Sequence, residues 1–413
     1  MTGQAYCRRW TPDTHPLKIL DPIDRSAKLA RLRNVKMARS AHAYVRGSTG
    51  RFYEWLDSTH ATALPDGPAI WICGDCHVGN LGPVANTFGR VEIQLRDFDQ
   101  AVIGNPAHDL IRLALSLASA ARGSNLPGIT TARMMEQVIE GYVHAFDPDN
   151  EAGMAKSKRP KSVRVALKRA LARSFRHLAD ERTEGEAAKI PIGKRFWKIS
   201  EDEWITVEAM FGSEEMGRLA TALRERSNDA AIEVLDCAYW VKGCSSLGKL
   251  RYAVLLDVDQ SATRRDKLCL IDIKEAARAA APRTRGARMP RDNGERVVTA
   301  ARHLSPFIGD RMQPGRLFDK SVFVRELLPQ DLKLEIDRIG QSEAQKAAFF
   351  LASVVGAAHA RQMDGKTKEA WQKDLMRNST KTLEAPSWLW TSVVELLALH
   401  ESAYLDHCRR YSI

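Results

Sequence analysis

The residues with the most chemistry in this 413-residue chain stand in one run, Gly74-Asp75-Cys76-His77-Val78-Gly79-Asn80, followed by Asp97-Phe98-Asp99. Asp75 can accept a proton from a hydroxyl or orient that hydroxyl. Asn80 and Asp97 carry hard oxygen atoms of the kind magnesium prefers. Asp99 is either a second metal contact or a loop anchor. A proton acceptor beside magnesium ligands suits transfer of the ATP γ-phosphoryl group to a hydroxyl. A Gly-Asp pair alone is more often a turn. The conjunction carries the chemical reading: buried strand, Asp75 loop, second strand, Asp97 and Asp99, then Gly104-Asn105-Pro106 and Asp109 entering an apolar helix. Asp109, at that helix start, is expected to brace the loop through backbone N–H groups.

The matching half lies far downstream. Gly243, Ser245, Ser246 and Gly248 form a glycine-rich turn, and Lys274 ends the apolar run Ile271-Asp272-Ile273-Lys274. The turn fits the P-loop spacing, but Leu250 replaces the Ser or Thr that should follow Lys249. The β-branched and aromatic residues after it predict a strand where a P-loop needs a helix. A hairpin covering phosphates, with Lys274 one strand later, fits better; an ordinary turn and an edge lysine are the plain alternatives. Glu295 is the candidate carboxylate partner of Lys274. His77, Arg39, Arg46 and Arg325 are candidates for structural or substrate contacts, and His359 for packing or capping. Cys73-Gly74-Asp75-Cys76-His77 also matches a haem-attachment pattern, and a zinc site would need about four ligands. Two buried thiols flanking a turn is the preferred reading.

Around these motifs the pattern alternates. Residues 1–66 read as mostly helical, with basic residues Lys28, Arg31, Arg33, Lys36 and Arg39. Residues 69–72 and 91–95 read as strands, and a helix starts near Asp109. Residues 156–176 form a basic amphipathic stretch, with Val163, Leu167, Leu171, Phe175 and Leu178 on one face. Residues 238–241, 249–258, 268–274 and 322–327 read as strands, residues 295–304 as a helix, and the chain from 342 as helical. Hydrophobic residues make up 44%, enough for a large core, and the net charge of +11 favours an anionic partner such as a nucleotide or RNA. No signal core or membrane-spanning run of about 20 apolar residues is visible. The seven scattered cysteines suit reduced thiols, so the expected location is cytoplasmic.

The ordered set resembles an uncharacterised bacterial family, domain of unknown function 2252. The matching pieces are Lys36-Met37-Ala38-Arg39-Ser40, residues 44–47, 73–80, 96–100, 104–117, 241–248, 273–276 and 294–298, and Val324-Arg325. They span roughly residues 30–365. The motifs also look like those of aminoglycoside phosphotransferases and other kinase-like folds, which have His-Gly-Asp-x-His-x-x-Asn where this chain has residues 73–80. Cys73 departs from their first histidine. The order departs further: the catalytic and metal Asp precede the glycine turn, lysine, hinge strand and helix. That resemblance implies an α+β, two-lobed protein-kinase-like fold, circularly permuted. Residues 236–335 would form a small antiparallel β-rich nucleotide lobe, and residues 1–235 and 336–413 a large helical lobe. It further implies an ATP- and Mg²⁺-dependent phosphotransferase, with Asp75 and Lys274 catalytic and a small hydroxyl-bearing acceptor. The alternatives are nucleotidyl (AMP) transfer and a non-catalytic nucleotide- or RNA-binding protein.

Overall fold

The structure is a computed structural model. It describes residues 22–58, 64–147, 159–174, 189–223, 226–227, 230–244, 247–258, 268–332, 334, 340–376 and 385–411. Ser245, Ser246, Phe175 and Leu178 lie outside these residues. The architecture is mixed α/β, and all strand pairs among the described residues are antiparallel.

Four short strands serve the N-terminal motifs. β1 (Ile70–Ile72) pairs with β4 (Val102–Gly104), and β2 (Leu81–Ala85) pairs with β3 (Val91–Leu95). β1 and β2 are buried throughout; β1 reads in the sequence as a short apolar run, whereas β2, with Gly82 and Pro83, is not among the expected strands. Behind them lie the helices Ala107–Gly123, Gly128–His144, Gln341–Ala360 and Ser387–Tyr411. Gln341–Ala360 comes very close to Gly128–His144. A Cβ on Gly141 would lie 2.1 Å from the Phe349 carbonyl oxygen, and one on Gly356 2.4 Å from that of Tyr142. Residues from both ends of the chain, from Val45 to Leu397, thus share one apolar core.

The second unit is a six-stranded sheet. Its strands are β5 (Phe196–Trp197), β6 (Ile232–Trp240), β7 (Arg251–Val258), β8 (Cys269–Glu275), β9 (Met312–Leu317) and β10 (Lys320–Leu327), in the order β5-β6-β7-β8-β10-β9. The Gly243–Gly248 turn joins β6 to β7, so a strand, not a helix, follows Lys249. The helix Asn293–Leu304 carries the chain from β8 towards β9. Its N-cap is Asp292, whose side chain accepts from the N–H groups of Gly294 and Glu295.

Two segments depart from the expected boundaries. The helices Glu201–Met210 and Glu214–Ala220 precede residue 236, yet Val207, Phe211, Met216 and Leu219 pack in the sheet's core, and β5 is one of its strands. Apolar spacing marks a buried face but not what it is buried against. The helix Pro22–Met37 straddles both units. At one end Leu29 enters the sheet's core, and Arg25, 3% exposed, pairs with Glu203 at 2.6 Å. At the other, Tyr404 donates to the Ala38 carbonyl at 3.2 Å, and His407 Nε2 lies 2.8 Å from that of Asn34. Of the basic amphipathic stretch, Lys161–Leu171 is helical; Val163 and Leu167 are buried, whereas Leu171 is exposed. No described helix is long and apolar enough to cross a membrane.

Candidate functional site

The Asp75 loop leaves β1 through a left-handed residue, Gly74, with φ of 73°. A Cβ there would also sit 2.2 Å from the Gln100 carbonyl oxygen, so only glycine fits. Asp109, fully buried, accepts from the N–H groups of Cys73 (2.7 Å) and Gly74 (2.8 Å). Behind it stand His359 Nε2 at 3.2 Å, Tyr142 Oη on the other His359 nitrogen at 2.9 Å, and Trp371 donating to Tyr142 at 3.1 Å. Gln362, just past the helix Gln341–Ala360, accepts from the Trp71 N–H (2.9 Å) and donates to the Trp71 carbonyl (3.1 Å). The loop is therefore held by residues that lie almost three hundred positions away from it in sequence.

The Asp75 carboxylate accepts from Arg112 on one oxygen and from Thr49 Oγ1, at 2.9 Å, on the other. Asn80 donates its amide N–H to the Asp75 backbone carbonyl at 2.8 Å, leaving Oδ1 as the atom of that side chain suited to a cation. The hairpin then acts as a ruler. Leu81 lies opposite Leu95, so Asn80 and the Arg96-Asp97 pair emerge side by side at its open end.

Lys274 reaches this place from the sheet. Its Nζ lies 2.6 Å from Asp99 Oδ2 and 3.3 Å from Asp97 Oδ1. Burial works against the Lys274 charge, but Asp97 and Asp99 outweigh it and raise its pKa. Burial also pushes Asp97 up, yet Lys274, Arg251 and Arg325 hold it below the usual carboxylate range. Asp99 goes the other way, raised by burial and by the neighbouring Asp97 charge. Asp99 Oδ1 is buried with no partner. A buried, unpaired carboxylate oxygen beside a second carboxylate fits a hard cation. Among the described residues no group of three or more His, Cys, Asp or Glu side chains is arranged as a metal cage. Magnesium, which keeps several waters and takes one or two carboxylates, does not require one.

Between sheet and hairpin lies a narrow cleft of about 30 Å³, lined by Arg96, Asp97, Arg251, Lys274, Phe323 and Arg325 among others. Strand register explains the lining. Lys274 stands between Arg251 and Phe323, and Asp272, two residues earlier and so on the same face, stands beside Arg325. Asp272 is fully buried and accepts from Arg251 Nε at 2.8 Å and from Arg325 Nη2 at 3.3 Å. Arg96 donates to the Asp331 carbonyl at 2.9 Å, fastening the hairpin to the segment that leaves β10. Lys242 faces the same cluster. Burial, with Arg251, Arg325 and Arg96 nearby, pushes its ammonium well below the usual lysine range.

The structure thus brings Asp75, Asn80, Asp97, Asp99, Asp109, Lys274 and Arg325 to one place, whereas the Gly243 carbonyl accepts from Lys36, at 3.2 Å, on the helix Pro22–Met37. Gly248, on the far side of the same turn, has φ of 103°. Arg46 lies over the backbone of Gly79, where a Cβ would meet its guanidinium at 2.4 Å. Two candidates are not gathered in. Arg39 is exposed, and Glu295 is exposed on the helix Asn293–Leu304. The carboxylates on Lys274 are Asp97 and Asp99 instead. The buried charge of that helix is the next residue, Arg296, which donates to the backbone carbonyls of Asp99 (3.0 Å), Ala277 (2.8 Å) and Ala101. Helical period separates the two: one step of about 100° turns Glu295 to solvent and Arg296 onto the loop. Arg112, Thr49, Arg251, Asp272, Lys242 and Arg296 were not singled out from sequence. The visible signal for Arg112 and Asp272 is a charge inside an apolar run, which stays only when paired.

His77 is not a proton carrier at neutral pH, because burial pulls it down to about 3. His108 and His400 are likewise pulled by burial to about 4. Each has one buried ring nitrogen without a partner, so none has an acceptor ready for a second proton. The ordinary value is 6.5. All three are therefore neutral in the folded chain while the unfolded chain takes up protons below that value. Their contribution is fully present above about pH 6.5 and is lost as pH falls towards 4. The slope is roughly 1.4 kcal/mol per pH unit for each ring, about 4 for the three. Urea midpoints at pH 7, 6 and 5 should fall steeply before ordinary carboxylates titrate; a flat profile down to pH 5 would contradict this.

The chain belongs to the family described as "Uncharacterized protein conserved in bacteria (DUF2252)", which matches residues 25–410. No curated protein and no solved structure matches it.

Proposed function

We propose that the protein is an ATP- and Mg²⁺-dependent phosphotransferase of kinase-like fold in circularly permuted order, acting on a hydroxyl acceptor. The observation that carries this reading is the meeting of Lys274 with Asp97 and Asp99 across the cleft, from two units 177 residues apart in sequence for the Lys274–Asp97 pair. A phosphate-binding lysine on a strand next to a glycine hairpin, opposite a loop Asp that holds magnesium, is the arrangement phosphoryl transfer needs.

Three further features support it. The sheet order puts the glycine turn one strand from Lys274, and β10, the second strand after the helix Asn293–Leu304, lies beside Lys274 on its other side. The segment after β10 runs against the catalytic hairpin, as a hinge would. The helix Gln341–Ala360 ends at Trp71, the strand residue that leads into the Asp75 loop. In an unpermuted chain that helix would continue directly into the loop. A permutation that moves the ends to this point breaks one connection and leaves the packing unchanged.

In this reading Asp97, Asp99 and Asn80 would hold magnesium, which neutralises phosphate charge when bound. Lys274 would move from the carboxylates to the phosphates. Lys274 and the two Asp satisfy each other across the narrow cleft; magnesium and phosphate would satisfy them separately. Arg251 and Arg325 add positive charge for the phosphates. Asp75, held by Arg112 and Thr49, would orient the acceptor hydroxyl. The test is incubation with Mg²⁺ and γ-labelled ATP across a panel of hydroxyl compounds. Label transferred with release of ADP supports the reading; pyrophosphate as product would assign nucleotidyl transfer instead.

A further inference from the structure

A second cavity, open to solvent and of about 650 Å³, is built where the helices Pro22–Met37, Ala41–Gly47, Thr49–Leu56 and Ser387–Tyr411 meet. Pockets of this size hold nucleotide-sized ligands. Its charge is one-sided. Arg33, Arg51 and Arg410 line it, and its one acid, Asp406, is already paired with Arg409 at 3.0 Å. Among the described residues neither Arg33 nor Arg410 is ion-paired, and Arg51 meets Glu54 only in solvent, at 3.3 Å. Beside the arginines stand three aromatic rings tilted to one another. Tyr44 and His407 have ring centroids 5.3 Å apart, and His407 and Tyr411 4.7 Å apart, with Tyr411 the exposed member. His407 is fixed by its contact with the Asn34 carbonyl, so the ring beneath Tyr411 is positioned in advance.

Guanidinium groups without acids select phosphate or carboxylate, and aromatic faces select a planar ring. We propose that this cavity is a second ligand site, which takes a phosphate monoester carrying a planar ring, of nucleoside monophosphate size. The site is separate from the Lys274 cleft, but two of the helices that line it also touch the Asp75 loop. Tyr44, Gly47 and Arg51 face the cavity. Arg46 lies on Gly79, and Thr49 holds Asp75. A ligand drawing the helices Pro22–Met37 and Ser387–Tyr411 together therefore bears on the residues that orient Asp75, and on the helix that straddles both units.

The probe is AMP, titrated calorimetrically into the full chain, with inorganic phosphate as comparison. Lys274→Met isolates this cavity from the cleft. AMP is expected to bind wild type and Lys274→Met alike. Arg33→Gln with Arg410→Gln should weaken it about tenfold or more, the loss of roughly one charge-assisted contact. Tyr411→Ala, at a residue 40% exposed and so tolerant of change, should weaken AMP but not phosphate. The proposal is overturned by no AMP binding to wild type at millimolar concentration, by binding that Lys274→Met abolishes, or by binding that the arginine variant leaves unchanged. Phosphate binding as tightly as AMP would overturn the ring-binding half.

Discussion

On the proposed function, Lys274→Met is expected to weaken magnesium-dependent ATP binding and turnover by about 10²–10³, the usual effect of removing one preorganised charge from a phosphoryl-transfer site. A second consequence runs the opposite way. Lys274 sits on the carboxylates that magnesium would take, at 2.6 Å from Asp99 and 3.3 Å from Asp97. Removing it leaves two neighbouring carboxylates without their nearest cation. Magnesium alone, titrated without nucleotide, should then bind about tenfold or more tightly to the variant than to wild type, since opposite charges at this range interact by several kcal/mol even at an effective dielectric constant near 20. Asp97→Asn, by contrast, should lose both magnesium and Mg·ATP. If Lys274→Met binds Mg·ATP as well as wild type does, the composite site is not a nucleotide site. If it binds magnesium no better, Lys274 and the cation do not compete for the same oxygens.

Asp109→Ala should be the most damaging single substitution near the site, costing about 3–5 kcal/mol of stability. Asp109 is fully buried and serves three partners, the N–H groups of Cys73 and Gly74 and the His359 ring. Truncation leaves two buried N–H donors and a ring nitrogen unpaired, each costing about 1–3 kcal/mol if water cannot enter. Asp109→Asn keeps the shape but offers one acceptor oxygen where two are used, so it should cost less than alanine and still more than a surface change. Urea unfolding of both variants measures this. The larger readout is local: the loop carrying Asp75 should lose amide-exchange protection first, because those two N–H groups fix its start. A loss under about 1 kcal/mol for alanine would mean that the Asp109–His359–Tyr142–Trp371 chain is packing rather than a brace.

Much of the site is legible as residue types in order. Asp75, Asn80, Asp97 and Asp99 lie within one short stretch, and a hairpin of about five residues a side is enough to return the chain to its start. Lys274 is legible as the basic residue near the end of a mostly apolar strand. Its partners are less so. Glu295 looked suitable because an acid follows the lysine strand on a helix. Helical phase, set by Val297, Val298 and Ala301 entering the core, turned that residue outward and its neighbour Arg296 inward. The roles of the residues behind the site are hidden for a related reason. Thr49 carries no signal of its own, and Arg112 and His359 show that they are unusual but not what they hold.

Local chemistry in the chain determines the strands, the glycine turns, the helix caps and the short-range Asp75–Asp99 stretch. These depend on neighbours a few residues apart, whose preferences act before any long-range contact forms. The pairing of Lys274 with Asp97 and Asp99, the closure of the cleft, the seating of Gln362 on Trp71 and the second cavity belong to the tertiary structure alone. Each joins segments separated by a hundred residues or more, and such contacts follow from which apolar faces bury each other, a choice that no single stretch of sequence contains.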